Sequence, residues 1–103
     1  MSGSVRAELI NGYQGYNSNL RVIAALDNAY LVSSTGLRID VYKYDPSQSA
    51  NYQTTLLGSC YDTSTCTVTT YGYNSTSAAF YATFRDAVGH TFTSSNVPAP
   101  YYY

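Results

Sequence analysis

The feature that most constrains this chain is an alternation of apolar and polar residues that turn-forming residues interrupt about every eight to twelve positions. In the stretch LRVIAAL, residues 20, 22, 24 and 26 are expected to share one face, and residues 21, 23 and 25 the other. Successive side chains of a β-strand point to opposite faces, so a period of two predicts strands with one buried face. No segment longer than a turn has the 3.6-residue period of an amphipathic helix. The pattern therefore predicts an all-β antiparallel fold, either a sandwich or a barrel.

Seven segments are predicted to be strands. In chain order they are SVRAELI, LRVIAAL, LRIDVYKY, YQTTLLG, CTVTTY, AFYATFRD and HTFTSS. A length of 103 residues allows one domain with one hydrophobic core. We expect this domain to span residues 1–96 and to be followed at 97–103 by a tail or linker that is rich in Pro and Tyr.

Composition excludes several classes of partner. Charged residues make up 11% of the chain and the formal net charge is −1, so no strong electrostatic field would attract nucleic acid or anionic lipid. No run approaches the roughly 20 apolar residues that a membrane-spanning helix requires. No basic and then apolar signal sequence opens the chain, so a secreted protein would have lost its signal, or the signal would lie outside this sequence.

Both cysteines lie in the stretch LLGSCYDTSTCTVTTYGY, with five residues between Cys60 and Cys66. They flank the loop between the fourth and fifth predicted strands, so a disulfide across that hairpin is the main interpretation. Closing so short a loop would contribute only about 2 kcal/mol and would fix one hairpin and its register. Two buried free thiols are the alternative. A metal site is not expected, because it would need more ligands than these cysteines and His90 supply. A disulfide would indicate an oxidising, extracellular compartment.

The order of these segments resembles the immunoglobulin-like or fibronectin-III-like domains of secreted bacterial proteins, in particular those of actinomycetes. The segments that carry the resemblance are IDVYKYD, the cysteine-bounded GSCYDTSTCTVT, and FYATFRD with the glycine turn after it. The resemblance covers roughly residues 20–95. It implies a seven-stranded antiparallel immunoglobulin-like β-sandwich that serves in spacing, adhesion or sugar binding, and it carries over no catalytic residues.

Tyrosine is unusually frequent, with 13 residues, and topology predicts where many of them lie. In a seven-stranded sandwich of this kind the first, third and fifth connections share one end of the molecule with the C-terminus. We call this end the tyrosine end, since it would collect Tyr13, Tyr16, Tyr44, Tyr52, Tyr71, Tyr73 and the tyrosines at 101–103. The residues predicted to form a binding surface there are Tyr13, Tyr16, Asn17, Tyr52, Tyr71, Tyr73 and Asn74. The alternative is that these rings only pack down on the ends of the strands.

No catalytic constellation is predicted. His90 opens the last strand after a turn, and nothing resembles a nucleophile elbow. Most carboxylates lie in or beside turns, where an Asp side chain accepts hydrogen bonds from the backbone. Neither a metal nor a cofactor is expected, although a calcium site is conceivable if the loops that carry Asp27, Asn28, Asp62 and Asp86 converge.

These observations predict a non-catalytic secreted module for adhesion, spacing or assembly, which contacts a protein surface or copies of itself through its tyrosine end. One alternative is a carbohydrate-binding module, because apolar faces of sugars stack on aromatic rings while Asn and Gln bind hydroxyl groups. Another is a small secreted inhibitor that presents the disulfide-closed loop CYDTSTC.

Overall fold

The computed structural model describes residues 2–13, 16–27, 35–73 and 78–98, with side chains except at 12, 13, 16–18, 72 and 73. Eight β-strands and one short 3₁₀ turn, Ala50–Tyr52, account for most of this part of the chain. The strands are β1 (Gly3–Tyr13), β2 (Tyr16–Leu26), β3 (Arg38–Tyr44), β4 (Thr54–Tyr61), β5 (Thr65–Tyr73), β6 (Ala79–Arg85), β7 (Thr91–Thr93) and β8 (Val97–Pro98).

The strands form two antiparallel sheets. A three-stranded sheet has the order β1-β2-β5, and a five-stranded sheet has the order β4-β3-β6-β7, with β8 also paired to β6. The β3–β6 register runs without a shift from Arg38 opposite Arg85 to Tyr44 opposite Ala79. The expectation of an all-β antiparallel fold is therefore confirmed, and the two sheets enclose one core.

The core follows the alternation in the sequence. In β2, β3 and β6 every second side chain is buried, and the intervening ones face outward. The largest fully buried side chains come from both sheets: Phe80, Phe84, Leu20, Ile39, Val22 and Val41. The Phe84 ring also packs against that of Phe92 in β7, with ring centroids 6.2 Å apart. A period of two places apolar groups on one face of each sheet, and their removal from water provides the main stabilisation.

The disulfide is present, but the prediction that it closes a hairpin is wrong. Cys60 in β4 and Cys66 in β5 are bonded, with their Cα atoms 5.6 Å apart. These strands belong to different sheets, because β4 pairs with β3 and β5 pairs with β2. The bond therefore connects the two sheets at one side of the core, where Cys66 is fully buried.

The connection between β4 and β5 crosses from one sheet to the other because each of its ends is hydrogen-bonded to a different sheet. The Asp62 amide donates to the Leu37 carbonyl, next to β3, at 2.8 Å. The Leu26 amide of β2 donates to the Ser64 carbonyl, also at 2.8 Å. Asp62 adopts a left-handed conformation with φ of 56°, which Asp tolerates better than most residues. If β4 and β5 formed a two-stranded hairpin, the hydrogen bonds of Asp62 to Leu37 and of Leu26 to Ser64 could not form together.

The prediction of seven strands is also wrong, because Val97 and Pro98 form an eighth. Val97 lies opposite Phe80 and Pro98 opposite Ala79, and Val97 packs against the core. These two residues stand at the start of the segment 97–103 that is predicted to be a tail. Residues 99–103 lie outside the described part, so the division into a domain and a tail stays a prediction.

Candidate functional site

The three-stranded sheet brings several of the predicted site positions to one end. Tyr13, the last residue of β1, lies opposite Tyr16, the first residue of β2. Tyr73, at the end of β5, lies opposite Ser18 of β2. The backbone therefore places these three tyrosine positions together, while the side chains of Tyr13, Tyr16, Asn17 and Tyr73 lie outside the described part, as does the whole of Asn74.

The five-stranded sheet brings Tyr52 to the same end. The Cys60–Cys66 bond and the close approach of Gly58 to Val68 show that β4 runs antiparallel to β5 across the two sheets. A Cβ atom on Gly58 would lie only 2.8 Å from Cγ1 of Val68, so no larger residue fits there without movement. Because Tyr52 stands two residues before the start of β4 at Thr54, this position lies toward the end of β5.

Two aromatic rings at the tyrosine end are described and highly exposed. Tyr52 is 70% exposed and Tyr71 is 75% exposed. Asn51 beside Tyr52 is exposed too, and the Gln53 side-chain amide donates to the Gln48 carbonyl at 3.2 Å. The surface therefore has open aromatic rings next to amide groups. Whether Tyr13, Tyr16, Asn17, Tyr73 and Asn74 complete it stays a prediction.

A second aromatic surface, which the sequence did not single out as a site, covers the outer side of the five-stranded sheet. We call it the aromatic face and define it by Tyr42, Leu56, Tyr61 and Tyr81. Leu56, Tyr42 and Tyr81 form one row across β4, β3 and β6. The rings of Tyr42 and Tyr81 are stacked, with centroids 5.0 Å apart and planes 15° apart. Leu56 in this row is 51% exposed, and Tyr61 beside the row is 61% exposed. The aromatic face therefore offers apolar area to solvent.

A polar group lies beside this row and holds Tyr61 in place. Asp40 Oδ1 accepts hydrogen bonds from Nε of Arg38, at 3.0 Å, and from the Ser59 hydroxyl. The Arg38 guanidinium lies 5.4 Å from the centre of the Tyr61 ring, within range of a cation–π interaction. The hydrogen bond from Asp40 is the main cause that raises the pKa of Arg38 above its ordinary value. These contacts hold the charged groups of Arg38 and Asp40, which lie beside the aromatic face, in one geometry.

The alternation in the sequence contained part of the signal for the aromatic face. Parity alone places Tyr42 and Tyr81 on the outward sides of their strands. What parity does not give is the pairing of β3 with β6, which sets the two rings directly opposite each other. Parity does not predict the outward position of Leu56, because an irregularity between Val41 and Tyr42 in the β3–β4 pairing changes which residues of β4 face outward.

The opposite end of the molecule uses its carboxylates to fix turns. Asp86 Oδ1 accepts hydrogen bonds from the amides of Val88 and His90, at 3.1 and 2.8 Å, and its Oδ2 lies 2.9 Å from Nδ1 of His90. Desolvation alone would raise the pKa of Asp86, but the hydrogen bonds from His90 outweigh it and lower that pKa. The same turn needs a left-handed residue, which Gly89 supplies with φ of 93°.

The carboxylates named for a calcium site form other contacts. Asp62 Oδ1 accepts a hydrogen bond from the Gly36 amide at 2.7 Å, and Asp27 Oδ2 accepts one from the Ser2 hydroxyl at 3.1 Å. Asn28 lies outside the described residues. Within the described ranges, no group of three His, Cys, Asp or Glu residues is placed to hold a metal ion.

An open cleft of about 490 Å³ also lies at this end, between the start of β1 and the end of β2. Its lining consists of Ser2, Gly3, Ser4, Ala25, Leu26, Asp27 and Thr65. None of the predicted binding residues lines it. The described part of the chain contains no helix that could span a membrane.

Comparisons with known proteins give no relative. No protein-family model matches the sequence, and neither a curated protein nor a solved structure does.

Proposed function

We propose that this chain is a non-catalytic, extracellular immunoglobulin-like module that contacts another protein surface, in adhesion or spacing, through its aromatic face and tyrosine end. The strand order supports the fold part of this proposal. One sheet contains the first, second and fifth strands, and the other contains the third, fourth, sixth and seventh. This grouping agrees with a fibronectin-III-like sandwich. The disulfide between the sheets supports an oxidising compartment.

The observation that carries the proposed function is the outward row of Leu56, Tyr42 and Tyr81 on paired strands, in which Leu56 is exposed and the two stacked rings are half-buried. Rings on paired strands lose little conformational freedom when a partner covers them, so more of the contact energy is retained as affinity. Tyrosine offers apolar area and a hydroxyl group together, and it is enriched in protein–protein interfaces.

The geometry of the rings favours a protein partner over a sugar on the aromatic face. Tyr42 and Tyr81 cover one face of each other, and Leu56 lies opposite Tyr42 on its other side. A pyranose ring stacks on an open aromatic face, which Tyr42 lacks in this arrangement. A protein surface can instead contact the ring edges, the hydroxyl groups and the side chain of Leu56.

The tyrosine end supports a second candidate, a carbohydrate-binding module. Tyr52 and Tyr71 are the most exposed described aromatic side chains, and amide side chains lie beside Tyr52. Open rings next to hydrogen-bonding groups are what stacking against a sugar requires.

One set of binding assays tests both candidates. The domain would be applied to immobilised fibrinogen, fibronectin and collagen as protein probes, and to cellulose, chitin and xylan as polysaccharide probes. A Tyr42→Ala, Tyr81→Ala variant removes the row on the aromatic face, and a Tyr52→Ala, Tyr71→Ala variant removes the described rings of the tyrosine end. Arg21→Ala, on the outer side of the other sheet, is the matched control.

The outcomes separate the candidates. Retention on a protein probe that only the Tyr42→Ala, Tyr81→Ala variant loses supports the protein-contact function. Retention on a polysaccharide that only the Tyr52→Ala, Tyr71→Ala variant loses supports the sugar-binding function instead. Retention that all three variants keep contradicts both assignments of the surface, and no retention on any probe counts against adhesion.

A further inference from the structure

The edges of the two sheets differ in how well they are protected against pairing with another chain. An edge strand presents unpaired N–H and C=O groups, which can pair with a further strand. Among the described strands, β1 and β5 bound the three-stranded sheet, while β4 and the short β7 and β8 bound the other. Natural proteins protect such edges with charges, proline, short strands or irregular pairing.

Three of these four edges carry such protection. On β1, Arg6 and Glu8 lie outward and form an ion pair of 3.3 Å. β7 and β8 have three and two residues, and β8 ends in Pro98. β4 has an irregularity in its pairing with β3, between Val41 and Tyr42.

The β5 edge has none of these features from Thr65 to Thr70, and its pairing with β2 becomes irregular only beyond Thr70. β5 contains nine residues, TCTVTTYGY, none of which is charged or proline. Its pairing with β2 is regular from Thr65 to Thr70, and in the described part of the chain β5 pairs with β2 alone. Three of its residues are β-branched and exposed, namely Thr65, Thr67 and Thr69. Such residues favour extended, paired backbone.

We propose that the β5 edge is a self-association surface, at which β5 pairs antiparallel with β5 of a second copy about a two-fold axis. This step deepens the assembly role expected of the module and rests on its being a non-catalytic contact protein, but it uses a surface apart from the aromatic face. The joined sheet would have six strands, in the order β1-β2-β5-β5-β2-β1 across the two copies.

The sequence of β5 fits a symmetric partner. In an antiparallel two-fold pair, residues opposite each other share a face, so the axis must pass through one residue position. With the axis at Val68, the valines of the two copies meet on the core side, and Thr67 lies opposite Thr69. These positions all lie in the part of β5 whose pairing with β2 is regular. Thr–Thr pairs stabilise adjacent strands.

Charge also favours a second copy as the partner. A charged residue near a two-fold axis approaches its own copy and is repelled. Neither β5 nor the neighbouring edge strand β4 contains a Lys, Arg, Asp or Glu. A β5–β5 pair therefore brings no like charges together at its two-fold axis.

The test is the mass of the whole oxidised chain in solution, from micromolar to millimolar concentration, by analytical ultracentrifugation. Thr67→Lys places a charge at the centre of the proposed interface, where an edge lysine is expected to block strand addition. Ser4→Lys makes the same charge change on the exposed β1 edge and is the matched control. Thermal unfolding at low concentration verifies that both variants fold.

We expect the wild type and Ser4→Lys to dimerise with rising concentration, and Thr67→Lys to weaken dimerisation at least tenfold. Amide hydrogen exchange in β5, and not in β1, should slow as the dimer forms. A wild type that stays monomeric at millimolar concentration overturns the proposal, as does a dimer that both variants keep or both lose. Because Thr67→Lys leaves the aromatic face on the other sheet unchanged, its retention on the immobilised protein probes reports on the proposed function separately.

Discussion

The outer sides of the two sheets each carry a small group of charged residues, and the two groups differ in burial. On the three-stranded sheet, Glu8 pairs with Arg6 at 3.3 Å and with Arg21 at 3.5 Å, and its side chain is 41% exposed. On the five-stranded sheet, Asp40 pairs with Arg38 at 3.0 Å, and its side chain is only 14% exposed. Water and salt screen the first group, whereas the second is held among hydrogen bonds and aromatic rings.

This difference in burial is the reason why the proposed contact is assigned to the five-stranded sheet. A solvated ion group keeps a sheet surface soluble and adds little stability. A carboxylate that is already desolvated and already bonded, next to exposed rings, can be covered by another protein with less further loss of solvation. The aromatic face is therefore the more preorganised of the two surfaces, and under the proposed contact function the Glu8 side would remain in water.

The largest expected effect comes from removing the bond that holds the two sheets together. In a Cys60→Ala, Cys66→Ala variant, the free energy of unfolding should fall by about 2 to 5 kcal/mol, the usual result for a native disulfide in a small domain. Denaturant unfolding of the oxidised wild type and the variant measures this loss. A reducing agent should bring the wild type to the stability of the variant and leave the variant unchanged. A loss below about 1 kcal/mol would mean that the sheets hold together without the bond.

The second effect compares the two carboxylates directly. Asp40→Ala leaves the part-buried Ser59 hydroxyl without its acceptor and removes a largely buried carboxylate, so we expect a loss of about 1 to 3 kcal/mol. Glu8→Ala, the matched change on the other sheet, should alter stability by about 0.5 kcal/mol or less. Chemical denaturation of both variants gives the two values. Equal losses would remove the distinction between the two groups.

Much of the fold could be predicted from the sequence, because strand parity depends only on the backbone. A period of two predicted that Leu20, Val22 and Ala24 share one face of their strand, and all three are buried. Phe80, Ala82 and Phe84 follow the same period in β6 and are also buried. The partner of each strand could not be found this way. Cys60 and Cys66 have the same spacing whether their strands pair or lie in opposite sheets, and only the hydrogen bonds of the connection decide between the two.

The candidate sites show the same limit. Loop and strand order placed Tyr52 near the end of β5, since such placement follows from topology. The row of Leu56, Tyr42 and Tyr81 depends on the registers of two strand pairs and on one irregularity, and side-chain parity encodes none of these. Surfaces built from cross-strand neighbours are therefore harder to find in a single sequence than surfaces built from loops.

The third effect measures whether the aromatic row acts as a unit. Stacked rings at this separation contribute about 0.5 to 1.5 kcal/mol beyond the area that they bury. A double-mutant cycle of Tyr42→Ala and Tyr81→Ala should therefore show a coupling free energy in that range. The control cycle joins Tyr42→Ala with Thr67→Ala, on the outer side of the other sheet, and should be additive within about 0.5 kcal/mol. Additivity of the two tyrosines would mean that the observed stacking adds no stability.

The smallest effect is the response of the two ion groups to salt. At low ionic strength, Glu8→Gln should lower stability by about 0.5 kcal/mol or less, because exposed pairs contribute little. In about 1 M NaCl the Debye length falls to about 3 Å, so this difference should vanish. The loss from Asp40→Asn should persist, since the hydrogen bonds of Arg38 and Ser59 to a largely buried carboxylate are screened much less. Comparing each variant with the wild type at the same salt concentration cancels the general effect of salt on folding. If the Asp40→Asn difference disappeared with salt as well, the aromatic face would be as open to solvent as the Glu8 side, and its preorganisation would no longer support a contact function.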